Sequence, residues 1–254
     1  MLRHRLGVWL ARYLSKPIHS GGIVATSPPE RLLATLRKGD VLLVEGDTRF
    51  SVAIKYLTQS SWSHSSIYVG DALGPPPDGE EPRLLVDADI LEGVRAIPLS
   101  KFSGLHTRIC RPVGLSAQEI DQVVAHVTAR LGQQYDLKNV IDLMRYLVPT
   151  PPVPVRWRRR LMAIGSGDPT KAICSSMIAE AFQSVHYPIL PGIVAQAPDD
   201  PARAEARKEM FIVRHYSLFA PRDFDVSPYF QIVKPTVEEG FDPRTVKWAR
   251  PPKV

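Results

Sequence analysis

The chain has 254 residues, of which 44% are hydrophobic and 23% charged, and its formal net charge is +6 at pH 7. These fractions are ordinary for a soluble globular protein, and the length suits one large domain with extensions or two small domains. The basic excess is moderate and no basic stretch is interleaved with aromatic residues, so nucleic-acid binding is not expected. No apolar run approaches the roughly 20 residues of a membrane-spanning helix.

The chain contains two cysteines, Cys110 and Cys174. Two cysteines are too few for a disulfide framework, and such sparse usage is typical of a reducing compartment. No CxxC, HExxH or Cys/His cluster has the spacing of metal ligands. The sequence therefore predicts neither a metal site nor a cofactor.

Residues 1–14 form an amphipathic basic segment. On a helix, one apolar stripe contains Leu2, Leu6, Trp9, Leu10 and Tyr13. Arg12 interrupts the apolar stretch and no small-residue cleavage site follows it, so we expect a cytoplasmic protein and no signal peptide. Two interpretations of the segment stay open: it docks on its own domain, or it makes a peripheral contact with the inner face of the membrane.

Apolar spacing and turn residues predict the elements of the first half of the chain. Residues 1–35 are expected to form a helical extension. The predicted strands cover residues 41–44, 65–69, 84–89, 93–97 and 107–112. Residues 50–57 have helical spacing between the first two strands.

The second half is predicted to begin with helices, and residues 187–254 are predicted to be mixed. Ser116 and Glu119 form a capping box at the start of a helix that Gly132 should end. Further helices are expected at residues 137–147, around Cys174 and at 203–210, with strands at 211–214 and 229–233. Together these elements predict an α+β fold, an antiparallel sheet with helices on one side.

Cys174 and His64 are the residues most suggestive of chemistry. Cys174 is expected in the first turn of a helix, where the dipole favours a thiolate and the free backbone N–H groups can bind an oxyanion. His64 begins a predicted strand and can serve as the base of a cysteine nucleophile. Either residue alone is more often structural, and Cys110, in mid-strand, is expected to be a core residue.

A catalytic imidazole also needs a group that fixes its tautomer. Asp87 and Asp89 lie two residues apart on a predicted strand, so both carboxylates face the same side. Either could orient His64, and a solvent-facing strand surface is the alternative explanation. Glu92 is expected to serve the turn beside Gly93.

The order of five motifs resembles that of the permuted papain-like amidases of the YaeF/YiiX type, which are part of the NlpC-like cysteine peptidases. The matching segments are residues 38–42 (KGDVL), 62–70 (WSHSSIYVG), 86–88 (VDA), 132–136 (GQQYD) and 173–176 (ICSS). The resemblance implies a circularly permuted papain-like fold in which the histidine strand precedes the cysteine helix. It implies Cys174 as nucleophile, His64 as base and Asp87 as the third polar residue, a position where the family often has glutamate. Tyr135 and Ser175 are expected to contact the substrate.

The resulting hypothesis has a catalytic domain at residues 36–190, flanked by the extension 1–35 and a C-terminal extension 191–254 packed on the same domain. We expect a thiol hydrolase that cleaves a peptide or acyl-amide bond through an acyl-enzyme on Cys174. A membrane-associated lipid acyltransferase or lipid hydrolase on the same fold is one alternative. A binding module without catalysis is the other.

Overall fold

The computed structural model describes residues 13–17, 25, 27–89, 92–134, 173–196 and 208–247. Six of the strands in this part of the chain form one antiparallel sheet in the order β4-β3-β2-β1-β5-β8. These strands are β1 (Val41–Glu45), β2 (His64–Tyr68), β3 (Leu85–Asp89), β4 (Gly93–Ile97), β5 (His106–Pro112) and β8 (Phe230–Val233). A separate two-stranded sheet pairs β6 (Gly192–Gln196) with β7 (Lys208–Ile212). The predicted α+β fold is confirmed.

Six α-helices fall within the described residues. They are α1 (Pro29–Thr35), α2 (Arg49–Thr58), α3 (Ala117–Thr128), α4 (Ile173–Ser184), α5 (Pro221–Asp225) and α6 (Pro235–Glu238). Short 3₁₀ helices span Leu99–Phe102, Tyr216–Leu218 and Pro243–Thr245. The predicted capping box of α3 is present, because the Ser116 hydroxyl accepts from the Glu119 N–H while the Glu119 carboxylate accepts from the Ser116 N–H.

The main core lies between one face of the sheet and helices α3 and α4. Alternate strand residues such as Leu43, Ile67 and Val86 point to this face and are completely buried. Helix α4 packs on them through Ile178 and Phe182, which are also fully buried. This packing holds the first turn of α4 against the sheet.

The opposite face of the sheet is also covered, which the expectation of helices on one side did not include. A second core there joins Leu42 and Ile109 to α1 and to the 3₁₀ helix that carries Phe102. The physical reason is visible in β1, whose residues Val41 to Val44 are all apolar and all buried. A strand that is apolar on both sides needs cover on both sides.

Two predicted boundaries are wrong. Helix α3 ends at Thr128, before Gly132, which instead adopts a left-handed backbone (φ 82°) in the following turn. Residues 208–210, predicted as the end of a helix, belong to strand β7. Pairing with β6, a long-range interaction, decides the conformation there. The predicted helix at 137–147 lies outside the described residues.

The described end of the N-terminal extension packs on the domain. Leu14 is only 2% exposed, and Pro17 forms a β-bridge with Thr48 at the start of α2. The Arg49 guanidinium lies 4.5 Å from the centre of the Tyr13 ring. Residues 1–12, which carry most of the amphipathic stripe, are outside the described part. Among the described helices, none is long and apolar enough to cross a membrane.

Phe182 is expected to be a major contributor to the docking of α4. Its ring packs edge-on against Phe230 of β8, with the ring centres 5.2 Å apart, and no part of it is exposed. Phe182→Ala should lower the free energy of unfolding by about 3–5 kcal/mol, because it removes a large buried side chain and leaves a cavity. Chemical denaturation measures this loss. The exposed Val237→Ala is the control and should change stability by less than about 0.5 kcal/mol.

Candidate active site

Cys174 is the second residue of α4 and is almost completely buried against the sheet. The first-turn amides of a helix have no intrahelical acceptor, and their partial positive charge stabilises a nearby anion. The thiol therefore lies where a thiolate is favoured, as the sequence predicted. The neighbouring Ser175 is fully buried, with its hydroxyl 3.9 Å from the Cys174 sulfur.

His64 begins β2 and reaches both other members of the predicted triad. Its Nε2 lies 2.9 Å from Asp87 Oδ2, and its ring lies close enough to the Cys174 thiol for each group to shift the pKa of the other. Because Nε2 faces the carboxylate, Nδ1 is the nitrogen left for the sulfur. The ring packs on Phe102 at a centroid distance of 5.7 Å, and the side chain keeps 24% of its surface exposed. This exposure leaves the imidazole accessible from solvent.

The thiol and the imidazole shift each other's pKa towards an ion pair. Burial alone would raise the pKa of Cys174, but the facing His64 and the hydroxyl and N–H of Ser65 lower it below the usual thiol value. Burial alone would lower the pKa of His64, but the Cys174 thiolate and the Asp87 carboxylate raise it. Both shifts favour a thiolate beside an imidazolium, which is the reactive form of a cysteine nucleophile.

The structure selects Asp87 over Asp89 as the contact of His64. Asp87 is fully buried on β3, and its side chain accepts hydrogen bonds from His64 and from Arg95 of β4. Burial alone would raise the pKa of Asp87, but these two cations lower it below the ordinary value. The solvent-facing interpretation is wrong for Asp87. Glu92 serves the turn as expected, since its N–H donates to Asp89 Oδ1 at 3.0 Å.

Two residues of the site were missed from the sequence. Arg95 could have been found from the strand register, because the antiparallel pairing of β3 with β4 places it directly opposite Asp87. Ser65 gave no sequence signal beyond the Ser-rich motif. It is fully buried beside the Cys174 thiol, although its hydroxyl makes no well-aligned hydrogen bond.

The segment that leads to Tyr135 runs against β4. The N–H of Val94 donates to the Gln133 carbonyl at 2.9 Å, and the Gly132 N–H donates back to Val94 at 2.8 Å. Gly93 permits this approach, because a Cβ there would lie 2.2 Å from the Gln133 oxygen. Tyr135 itself lies outside the described residues, so its expected substrate contact stays a prediction.

The other cysteine is separate from this chemistry. Cys110 is a free, fully buried thiol in the middle of β5, and burial raises its pKa. Within the described ranges, no group of three or more His, Cys, Asp or Glu side chains could hold a metal ion.

Comparisons with known proteins give one family match and a similar solved structure. Residues 35–146 match the sequence model of a family described as permuted papain-like amidase enzyme, YaeF/YiiX, C92 family. The matched segment contains His64 and Asp87 and ends before Cys174. Among solved structures, the chain is similar to the crystal structure of metalloprotein yiiX from Escherichia coli O157:H7, with 16% identity and a TM-score of 0.45, over 78% of this chain and 96% of that one. A search of curated proteins finds no match.

The ion pair predicts the pH dependence of thiol alkylation. In the wild type, the midpoint of Cys174 alkylation, which is the pH at which iodoacetamide reacts at half its maximal rate, should lie below about 8.5, the ordinary thiol pKa. In His64→Ala the midpoint should move above that value, because burial still disfavours the thiolate and the cation is lost. Peptide mass spectrometry across a pH series measures both profiles.

His106→Ala is the matched control for this experiment. His106 is also a partly buried histidine paired with a carboxylate, since its Nδ1 lies 3.1 Å from Glu45 Oε2. Its imidazole does not pair with the thiol, so the alkylation midpoint should stay at the wild-type value. Equal midpoints for wild type and His64→Ala would contradict the ion pair.

Proposed function

We propose, from the match of residues 35–146 to the permuted papain-like amidases and from the Cys174–His64–Asp87 contacts, that this protein is a cysteine hydrolase that cleaves an amide bond. The observation that carries the proposal is a buried carboxylate hydrogen-bonded to an imidazole that interacts electrostatically with a thiol at a helix N-terminus. The substrate class is a peptide or an acyl-amide. The proposed catalytic unit is residues 36–190, flanked by the extensions 1–35 and 191–254.

The proposed reaction begins from the ion pair, in which the thiol proton already lies on His64. The sulfur of Cys174 then attacks the carbonyl carbon, and the backbone N–H groups of the first turn of α4 bind the oxygen as it becomes negative. His64 returns its proton to the departing amine when the C–N bond breaks. A thioester on Cys174 remains.

Hydrolysis of the thioester completes the cycle. His64 takes a proton from water, the hydroxide attacks the thioester carbon, and the C–S bond breaks to release the acid and restore the thiolate beside the protonated His64. Asp87 accepts the hydrogen bond of Nε2–H throughout, which keeps Nδ1 facing the sulfur. Tyr135 and the backbone N–H of Ser175 are the proposed substrate contacts, the second because Ser175 follows the nucleophile in the first turn of α4 while its side chain is fully buried.

An amide suits this site because an amine is a poor leaving group unless it is protonated. The imidazolium, whose pKa is raised by the thiolate and the carboxylate, supplies that proton at neutral pH. The electrostatics of the triad therefore support amide cleavage as the primary reaction, with esters as easier artificial substrates.

Cys174→Ala should abolish acyl transfer. After mixing with a p-nitrophenyl acyl ester, the wild type should show a burst of nitrophenol and gain one acyl group by intact-mass spectrometry, and the variant should show neither. A panel of fluorogenic peptide and fatty-acyl amides then identifies the acyl group that is turned over. Cys110→Ala, which changes only the buried core thiol, should keep the adduct, and an equal adduct on Cys174→Ala protein would refute the proposal.

Asp87 and Asp89 should differ sharply in their effect on turnover. Asp87→Ala should lower kcat by about 10²–10³-fold, because the imidazole loses the group that fixes its tautomer. Asp89→Ala should lower it by less than about tenfold, since its carboxylate binds Arg95 and not the imidazole. Steady-state kinetics of both folded variants tests this difference, and comparable losses would count against the assignment of Asp87.

A further inference from the structure

Arg95 binds the Asp87 carboxylate of the candidate triad through two guanidinium nitrogens. Its Nε donates to Asp87 Oδ1 at 2.9 Å and its Nη2 donates to Asp87 Oδ2 at 3.4 Å. Oδ2 is also the atom that contacts His64. One planar guanidinium and one imidazole thus hold the same carboxylate from opposite sides, and both of its oxygens are occupied.

Strand register fixes this contact. Asp87 and Arg95 are directly opposite on the antiparallel strands β3 and β4, where side chains on one face lie close together. The arginine side chain is only 16% exposed, so little water competes for its hydrogen bonds. A bidentate fork of this kind defines the plane of a carboxylate, which a single point charge does not.

Arg95 also separates Asp87 from two neighbouring acids. Its Nη2 lies 3.2 Å from Asp89 Oδ2, and its Nη1 lies 2.9 Å from Glu92 Oε2. Without the guanidinium, three carboxylates would lie close together with no cation between them. Mutual repulsion and burial would then both favour protonation of Asp87.

We propose that Arg95 is a positioning residue of the thiol hydrolase site, which holds Asp87 ionised and in one plane and thereby fixes the ring of His64 towards Cys174. The inference rests on the proposed function, since it assigns Arg95 a task in the activation of that thiol. The guanidinium nitrogens of Arg95 are bound by the carboxylates of Asp87, Asp89 and Glu92. Arg95 therefore influences His64 and Cys174 through Asp87.

The sign of the effect on Cys174 follows from the groups around the site. Three groups face His64: Asp87 of β3, Cys174 of α4 and the neutral ring of Phe102. On the far side of Asp87, Arg95 pairs with Asp89. Loss of the guanidinium favours protonation of Asp87, which removes the negative charge that supports the imidazolium and so disfavours the thiolate. Loss of the fixed carboxylate plane weakens the alignment of the imidazolium, which disfavours the thiolate as well.

The first test compares Arg95→Gln with a matched control, Arg111→Gln. Arg111 grips the buried Asp40 with the same fork, through Nε at 2.9 Å and Nη2 at 2.7 Å, and is 14% exposed. Asp40 lies far from the candidate site. Its backbone carbonyl accepts from the N–H of Tyr68, which is at the other end of β2, about 13 Å along the strand from His64. Both variants lose an equivalent buried ion pair, but only one loses it at the site.

Arg95→Gln should shift the acid limb of the pH profile of Cys174 alkylation to higher pH by about one unit. The alkylation rate at pH 6 should therefore fall about tenfold. Arg111→Gln should change that rate by less than about twofold while losing comparable thermal stability. An unchanged limb in folded Arg95→Gln protein, or an equal shift in both variants, overturns the proposal.

If Arg95→Gln does not fold, Arg95→Lys takes its place. It should give a smaller shift in the same direction, because an ammonium cannot form the fork, and an unchanged limb then overturns the proposal.

A second readout is independent of the thiol. In Cys174→Ala protein labelled with ¹⁵N, the neutral ring of His64 should be a single Nε2–H tautomer, and adding Arg95→Gln should give a mixture of tautomers. An unaltered tautomer overturns the positioning role. An ordinary alkylation profile in the wild type, together with a tautomer that depends on Arg95, would instead reject the proposed function and keep the inference about Arg95.

Discussion

The buried carboxylate of Asp87 constrains much of this structure. An ionised carboxylate without exposed surface is strongly unfavourable unless cations and hydrogen bonds compensate it. Here the compensation comes from both neighbouring strands, from His64 of β2 on one side and Arg95 of β4 on the other. A slip of either strand by one residue would turn its cation to the other face of the sheet and leave the charge unpaired. The strand order and register at this edge are therefore tied to the site.

Helix α4 supplies the other half of the site and depends on a different force. Its first turn carries Cys174, and the apolar residues of its later turns pack on the face of the sheet that carries Val86 and Ala88. Hydrophobic burial thus fixes the position of the thiol, whereas hydrogen bonds fix the imidazole. The thiol and the imidazole meet at the start of β2. Because His64 is the first residue of that strand, its ring can contact α4 on one face of the sheet and Asp87 on the other.

The order of the residues along the chain matters less than their arrangement in space. His64 and Asp87 precede Cys174 in the chain, and the family match at residues 35–146 includes only the first two. Triads are defined by geometry and role, so a permuted chain can assemble the same constellation. The C-terminal part also contributes to the sheet, because β8 pairs with β5 and Phe230 packs against α4.

Local patterns in the sequence predicted most of the elements near the site. Alternating residues placed Asp87 and Asp89 on one face, and the Ser116–Glu119 capping box marked the start of α3. They failed where long-range pairing decides, as in β7, and they could not choose between the two aspartates.

By itself, therefore, the sequence determined the α+β class, the strands that carry His64 and Asp87, and a helix that begins near Cys174, because these follow from periodicity and capping within a few residues. Only the tertiary structure decided that Asp87 contacts the imidazole, that Arg95 holds it and that both faces of the sheet are covered. Those outcomes depend on strand register and burial, which arise from contacts between residues distant in the chain.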